Sequence, residues 1–449
     1  MSETRRMFSV FLAALAVRWG LAIVLFASMG NDGLLGTDSR GFLQWVNDYA
    51  DTIRAGTVHG LHWMGPNISL LPMPSWLWTA NALLFGAHSA LTSVLSQGMV
   101  DSATCVLIYA IANSLDPRYA LPAGIAAALN PTQAVMSNLY YTDTVFLFFV
   151  ALVLYSAIRW LFEPAWRPAL LLGIGLGGAM LSRVLIAPWA GVLFLYLAGL
   201  LIFQRRFRRG HLLQLGTAIL IAGICTAPIV ARNRVEAGTW TLTTQTGAHS
   251  AFWVVPLVMQ TRDGTPWERG AEQIKRRLEA TYGPDSVNQG ENSRRQSQVA
   301  SEALRELGIA AIAKAWLYGS AINIGAPAAT IFPPLAQLPR TGFFATPGAS
   351  MPERIGNFLF HSDNKLYAWT LLAGIVGLVA FRLIQARGMF ALLRQRKLFP
   401  ATALLASWVV YILLVNGPIA SPKYRLPIEP VLMILTAAGY CALRERSRS

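Results

Sequence analysis

The apolar residues of this chain are collected in blocks of about 15–22, the length that carries an α-helix across about 30 Å of hydrocarbon at 1.5 Å per residue. Repeated blocks of that size lead to one architecture, an all-α polytopic transmembrane bundle. Composition agrees: 54% of the 449 residues are hydrophobic and 13% are charged, where a soluble domain carries about 25% charged residues. A soluble multidomain enzyme, a Rossmann-type fold and a disordered chain are excluded.

Ten spans are expected, over residues 8–29, 91–112, 120–137, 145–161, 169–181, 185–203, 212–230, 367–383, 399–415 and 426–443. The 37 Lys and Arg against 22 Asp and Glu give a net charge of +15. A nucleic-acid partner needs a soluble basic face with reading residues, which this sequence lacks. The positive-inside rule accounts for most of the excess. Arg5 and Arg6, the cluster Arg205, Arg206, Arg208 and Arg209, the cluster Arg394, Arg396 and Lys397, and the terminal Arg444, Arg446 and Arg448 are all expected on the cytoplasmic side. The basic start lacks a small-residue cleavage site after its apolar run, so the first span is read as uncleaved.

One segment, 68–85, is apolar but carries Pro72, Pro74 and Asn81. Counted as a span, it would put the Arg205 cluster outside, so it is read as a helix in the membrane interface. Both termini then lie inside. The residues 30–90, 138–143, the turn at Arg183, 231–366 and 416–425 then share the outer face, which is expected to be the periplasmic face of a bacterial inner membrane. The chain divides into an N-terminal transmembrane catalytic module (1–230), a long outer-face loop (231–366) and C-terminal transmembrane helices (367–449). Within the loop, 267–280 and 292–317 have charge on one helical face and read as amphipathic interfacial helices. Residues 283–290 read as turn, and the Pro-rich 327–352 as loop.

The chemistry is expected on the outer face. Asp38 opens the first outer loop, beside apolar walls that raise a carboxylate's proton affinity and fit it for base catalysis. Its bland reading is an N-cap for a helix over 42–53. Asp143, after Tyr140, Tyr141 and Thr142, is either a helix cap or a second carboxylate on the same face. Arg183, Arg232 with Asn233, and Lys423 with Tyr424 and Arg425 lie at outer span ends, where the positive-inside rule does not explain them. Cations there fit an anionic ligand such as phosphate, or else headgroup anchoring. Arg18 and Asp101 lie near the middle of the first two spans and are expected to neutralise each other. Cys105, Cys225 and Cys441 read as buried thiols. His59, His62 and His249 lack metal-ligand spacing and read as solvated or core histidines.

An ordered set of landmarks now resembles the membrane glycosyltransferases of the GT-C class, notably the bacterial relatives of protein O-mannosyltransferases and lipid A aminoarabinose transferases. These are Thr37-Asp38-Ser39-Arg40-Gly41-Phe42, Pro72-Met73-Pro74-Ser75-Trp76, Ala127-Ala128-Leu129-Asn130-Pro131, Tyr141-Thr142-Asp143, Ser182-Arg183 followed by Pro188, Ala231-Arg232-Asn233 leading to Gly238 and Thr243-Thr244, and the run from Lys423 to Pro430. The resemblance implies a polyprenyl-phosphate-linked sugar as donor, a lipid, glycan or protein acceptor, and inverting transfer on the outer face. It implies Asp38 as the catalytic carboxylate with Asp143 as a second. Arg183, Arg232, Lys423 and Arg425 are expected to bind the donor phosphate, and Asn233, Tyr141 and Tyr424 to bind substrate. Two positions depart from the family pattern: Ser39 stands where many relatives have an acidic residue, and Leu71 where aminoarabinose-type relatives have a basic one. No cofactor is assigned, and the Ser39 departure leaves a divalent metal open. A lipid-linked glycan flippase or transporter and a non-catalytic assembly subunit are the rival classes. A transporter would place its polar residues near the midplane.

Overall fold

The structure is a computed structural model that describes residues 2–65, 68–86, 90–204, 208–343 and 346–446. Arg205, Arg206 and Arg448 of the expected cytoplasmic clusters lie outside the described residues. The N-terminal half runs α1 (Glu3–Met29), α2 (Ser39–Arg54), α3 (Pro72–Phe85), α4 (Leu91–Leu115), α5 (Pro117–Ala128), α6 (Pro131–Ser137), α7 (Asp143–Phe162), α8 (Trp166–Met180), α9 (Ala187–Phe203) and α10 (Arg209–Ala237). The outer loop holds α11 (Gln245–His249), α12 (Val255–Asp263), α13 (Trp267–Tyr282), α14 (Gln289–Leu307), α15 (Ile309–Gly325), α16 (Pro333–Ala336) and α17 (Met351–Phe360). The chain closes with α18 (Lys365–Leu393), α19 (Phe399–Asn416), α20 (Pro422–Arg425) and α21 (Glu429–Arg446). No strand occurs among the described residues.

Eight helices among the described residues are long and apolar enough to cross a membrane, nine if the bent pair α14–α15 is one span. The remaining two expected spans are present in shorter form. Span 120–137 is broken into α5 and α6 because Pro131 lacks an N–H, while the Asn130 side chain accepts from the N–H groups of Thr132 and Gln133 and starts a new helix. Span 169–181 is the 15-residue α8, about 22 Å long at 1.5 Å per residue. The segment 68–85 gives the 14-residue α3, about 21 Å and too short to cross by itself.

The expected helix over 267–280 is α13. The single helix expected over 292–317 is instead two, meeting at 103°. Gly308, at φ 84°, ends α14 in a conformation that side chains resist. The charged stretch and the apolar stretch on either side of it therefore point in different directions.

The main core joins α1, α4, α5, α7–α10, α18, α19 and α21 around buried Tyr109, Trp160, Trp189 and Trp408. The outer helices keep a small core of their own, including Val258, Ile274, Val299 and Ala303. Helices α18 and α21 approach through Gly388 and Gly439: a Cβ on either would stand 2.0 Å from a carbonyl oxygen of the other helix. Small residues permit this closeness between membrane helices.

The pairing expected of Arg18 and Asp101 is present, Nε to Oδ2 at 2.8 Å with both side chains buried. Arg18 also donates to the carbonyls of Ala127 and Ala128 at the end of α5, and Gln133 of α6 donates to Asp101 at 2.9 Å. One ion pair thus closes the polar groups that the break between α5 and α6 exposes. All three cysteines are free; Cys105 is buried, and Cys225 and Cys441 are half-buried.

Candidate active site

The first outer turn is fixed by Ser39, whose hydroxyl accepts from the Gly36 N–H at 2.9 Å. Helix α2 therefore starts at Ser39, three residues before the expected start. The Asp38 side chain caps nothing. Its carboxylate, half exposed at 51%, pairs instead with Lys423 Nζ at 3.2 Å, a partner 385 residues away.

Residues 139–143 are held from below. Trp78 of α3 stacks on Tyr140 at 4.1 Å, and Gln97 of α4 accepts from the Trp78 indole and donates to the Leu139 carbonyl. This delivers Tyr141 and Asp143 to the same place. Lys423 Nζ sits 4.0 Å from the centroid of the Tyr141 ring, a cation–π contact. The Tyr141 hydroxyl lies 3.3 Å from Thr37 Oγ1. Gly36 makes room for it: a Cβ there would stand 2.0 Å from the Tyr141 hydroxyl oxygen.

Asp143 is the first residue of α7 and is 2% exposed. Its Oδ1 accepts from Arg183 Nη1, and its buried Oδ2 has no hydrogen-bond partner among the described residues. Tyr424 lies in the field of Lys423, Arg183, Asp143 and Asp38. The cluster thus holds two carboxylates and two cations from the first outer loop, the start of α7, the turn after α8 and the start of the last span. The side chains of the cluster therefore come from both 1–230 and 367–449.

A further member gave no signal in the sequence. His249, at the end of α11, is accessible to solvent but ringed by protein. Desolvation, then the charges of Arg183 and Lys423, hold its imidazole below the usual range.

The other expected phosphate ligands are placed differently. Arg232, near the end of α10, is 1% exposed; its Nε donates to Asn233 Oδ1 at 3.1 Å, and its Nη2 has no hydrogen-bond partner among the described residues. Asn233 donates to the Thr241 carbonyl at 2.9 Å, and its own carbonyl accepts from Gly238, so it shapes the turn after α10. Arg425, also 1% exposed, donates from each of its three nitrogens. Its Nε donates to Glu429 at 2.7 Å, Nη1 to the carbonyls of Asn323 and Ala326, and Nη2 to Thr132 Oγ1 at 2.6 Å. Glu429 in turn accepts from Asn130 Nδ2 at 2.8 Å. The structure spends all three nitrogens of Arg425 on joining α6, α15 and α21. Glu429 and Asn130 complete this join, and spacing alone did not reveal them.

Asp38 and Asp143 each face a cation. Among the described residues no three His, Cys, Asp or Glu side chains gather.

The sequence profile of the dolichyl-phosphate-mannose-protein mannosyltransferase family matches residues 66–231, which include Tyr141, Asp143 and Arg183. No curated protein matches the chain. Among solved structures, the fold is similar to the archaeal oligosaccharyltransferase AglB from Archaeoglobus fulgidus in complex with an inhibitory peptide and a dolichol-phosphate. That likeness has a TM-score of 0.53 at 12% identity over 99% of this chain and 50% of that chain. The same archaeal enzyme tethered to an acceptor peptide gives a TM-score of 0.52 at 12% identity, over 99% and 50% of the two chains. ArnT from Cupriavidus metallidurans bound to undecaprenyl phosphate gives 0.41 at 14% identity, over 97% of this chain and 78% of that one. The chain spans half the length of the archaeal enzyme. The resemblance to GT-C class membrane glycosyltransferases thus extends from sequence landmarks to the fold.

Proposed function

We propose that this membrane protein, which has the fold of GT-C class glycosyltransferases, is an inverting transferase. It moves a sugar from a polyprenyl-phosphate-linked donor to an acceptor hydroxyl or amine on the outer face of the membrane. The observation that carries the reading is the meeting of Asp38, Asp143, Arg183 and Lys423 from four separated segments. Asp38 is the more exposed carboxylate and is the base. It removes the acceptor proton as the acceptor oxygen or nitrogen bonds to the anomeric carbon. The bond from that carbon to the phosphate oxygen breaks, and polyprenyl phosphate leaves with the electron pair.

Arg183 and Lys423 stand beside the carboxylates, where the phosphate's charge grows. Cations fixed at such a place contribute about 3–4 kcal/mol each to the transition state. Asp143, buried against Arg183, holds that guanidinium in position. Arg425 acts at a distance by anchoring the segment that carries Lys423 and Tyr424. A transporter needs free polar groups near the midplane, whereas Arg18 and Asp101 are closed on each other. The outer helices of 231–366 we assign to acceptor selection.

The test is transfer from a labelled polyprenyl-phosphate sugar to a membrane extract. Asp38→Asn is expected to lower turnover by at least about 100-fold with an unchanged melting temperature in detergent. Wild-type turnover in that variant would end the assignment.

A further inference from the structure

A cleft of about 360 Å³ opens between α2 and the loop that follows it. Helix α2 contributes Trp45, Asp48, Tyr49 and Thr52, and the loop contributes His59 and His62. The mixture is specific in chemistry. An aromatic face suits the apolar face of a sugar ring, and a carboxylate, hydroxyls and imidazoles around it suit ring hydroxyls. The volume is that of a small-molecule site.

A buried cation stands behind the wall. Gly65 lines the cleft, and a Cβ on it would lie 3.8 Å from Arg232 Nη1. The missing side chain keeps the partition thin. Tyr49 feels the same cation: burial raises its hydroxyl's pKa, while the Gly65 N–H and the Arg232 charge pull it back. Arg232 is 1% exposed, and among the described residues its Nη2 has no hydrogen-bond partner. The charge of Glu236, on the same helix, favours the buried cation but leaves that donor unused.

The cleft is also set at a distance from the proposed base. Trp45 and Tyr49 follow Asp38 by seven and eleven residues, two and three turns on nearly the same face of one helix. At 1.5 Å per residue they stand about 10 and 16 Å along the axis from Asp38. The donor phosphate is bonded to the carbon that reacts, so it belongs beside Asp38. An anion drawn by Arg232 is another group, on another ring.

We propose that this cleft is an acceptor subsite for a carbohydrate bearing an anionic substituent, with Trp45 stacking on the ring and the charge of Arg232, behind the Gly65 backbone, drawing the anion. The word acceptor rests on the glycosyltransferase reading; the binding itself does not. The acceptor is then a glycan at least two rings long, and the cleft holds a ring remote from the one that is glycosylated.

The experiment is equilibrium binding to the full chain in detergent, which needs no turnover and so succeeds or fails independently of the Asp38→Asn assay. The probes are a glucuronic-acid-containing disaccharide, the neutral disaccharide cellobiose, and undecaprenyl phosphate. The uronate disaccharide is expected to bind at least about tenfold more tightly than cellobiose. Trp45→Ala, on the exposed rim, is expected to weaken both by about tenfold, and Arg232→Gln to bring the two within about twofold, since the charge behind the wall is lost. Undecaprenyl phosphate should bind both variants as it binds the unaltered chain. Failure of either disaccharide to bind, or a preference that survives Arg232→Gln, overturns the proposal. So does undecaprenyl phosphate being the ligand these variants lose, which would give the cleft to the donor. Should Arg232→Gln fail to fold, ionic strength decides: a preference that shrinks with added salt supports a charge contact, and one indifferent to salt refutes it.

Discussion

Arg232 and Arg425 are buried to the same extent, 1% exposed each, yet the fold uses them in opposite ways. Arg425 donates to two carbonyls at the end of α15, to Thr132 on α6 and to Glu429 at the start of α21. It is a cross-link. Among the described residues Arg232 has one side-chain hydrogen-bond partner, its neighbour Asn233, and its Nη2 has none. Burial alone therefore does not identify a functional cation. What separates the two is whether the protein itself engages every nitrogen of the guanidinium.

The largest effect expected is on the cross-linked side. Glu429→Ala removes the partner of a buried guanidinium, a change that costs about 3–5 kcal/mol. A thermal melt in detergent should show a large drop. Arg232→Gln, which breaks no network, should melt within a few degrees of the parent chain; equal losses would dissolve the contrast.

Next in size is the loss of transfer from Arg183→Gln. Arg183 is ion-paired but only partly buried, at 23% exposure, so phosphate can exchange for its carboxylate. Removing one charge-stabilising donor should lower turnover by about 100-fold or more, with a smaller effect on melting than Glu429→Ala.

A smaller effect tests the contact between Gly36 and Tyr141. Gly36→Ala should push Tyr141 off Lys423 and cost about 1–3 kcal/mol by overpacking. In a Tyr141→Ala background, which also removes the ring carbons 2.3 and 2.7 Å from the added Cβ, Gly36→Ala should cost little further stability. An equal loss in both backgrounds would show that Tyr141 is not what Gly36 accommodates.

The smallest effect is a pH slope. His249 has a lowered pKa in the folded chain, so the unfolded chain takes up its proton first as pH falls through about 6.5. Stability should therefore decline below that pH and level off only once the folded imidazole also protonates. His249→Gln should flatten the decline, and an unchanged slope would place the titrating group elsewhere.

Particular elements show how far the sequence could be read. The Arg18–Asp101 pair was legible because both charges sit at similar depth in neighbouring spans, where an unpaired charge is untenable. The segment 68–85 was legible as a short helix from its prolines. The break between α14 and α15 was missed because 292–317 was read as one helix, although the charged residues stop at Gly308 and an apolar stretch follows it. Asp38 looked equally like a cap and a base; only its pairing with Lys423 shows that the side chain is not used by the helix. His249 was unreadable, since no residue near it in sequence belongs to the cluster.

The spans, their helical state and the candidate polar positions were determined by sequence alone, because lipid penalises every unsatisfied backbone group and hydropathy adds up locally along the chain. Which charges meet was decided only by tertiary structure. Lys423 reaches Asp38 across 385 residues, while Arg425, two residues later, turns into the bundle. A helix sends residues two apart toward different neighbours, and those neighbours exist only once the bundle has closed.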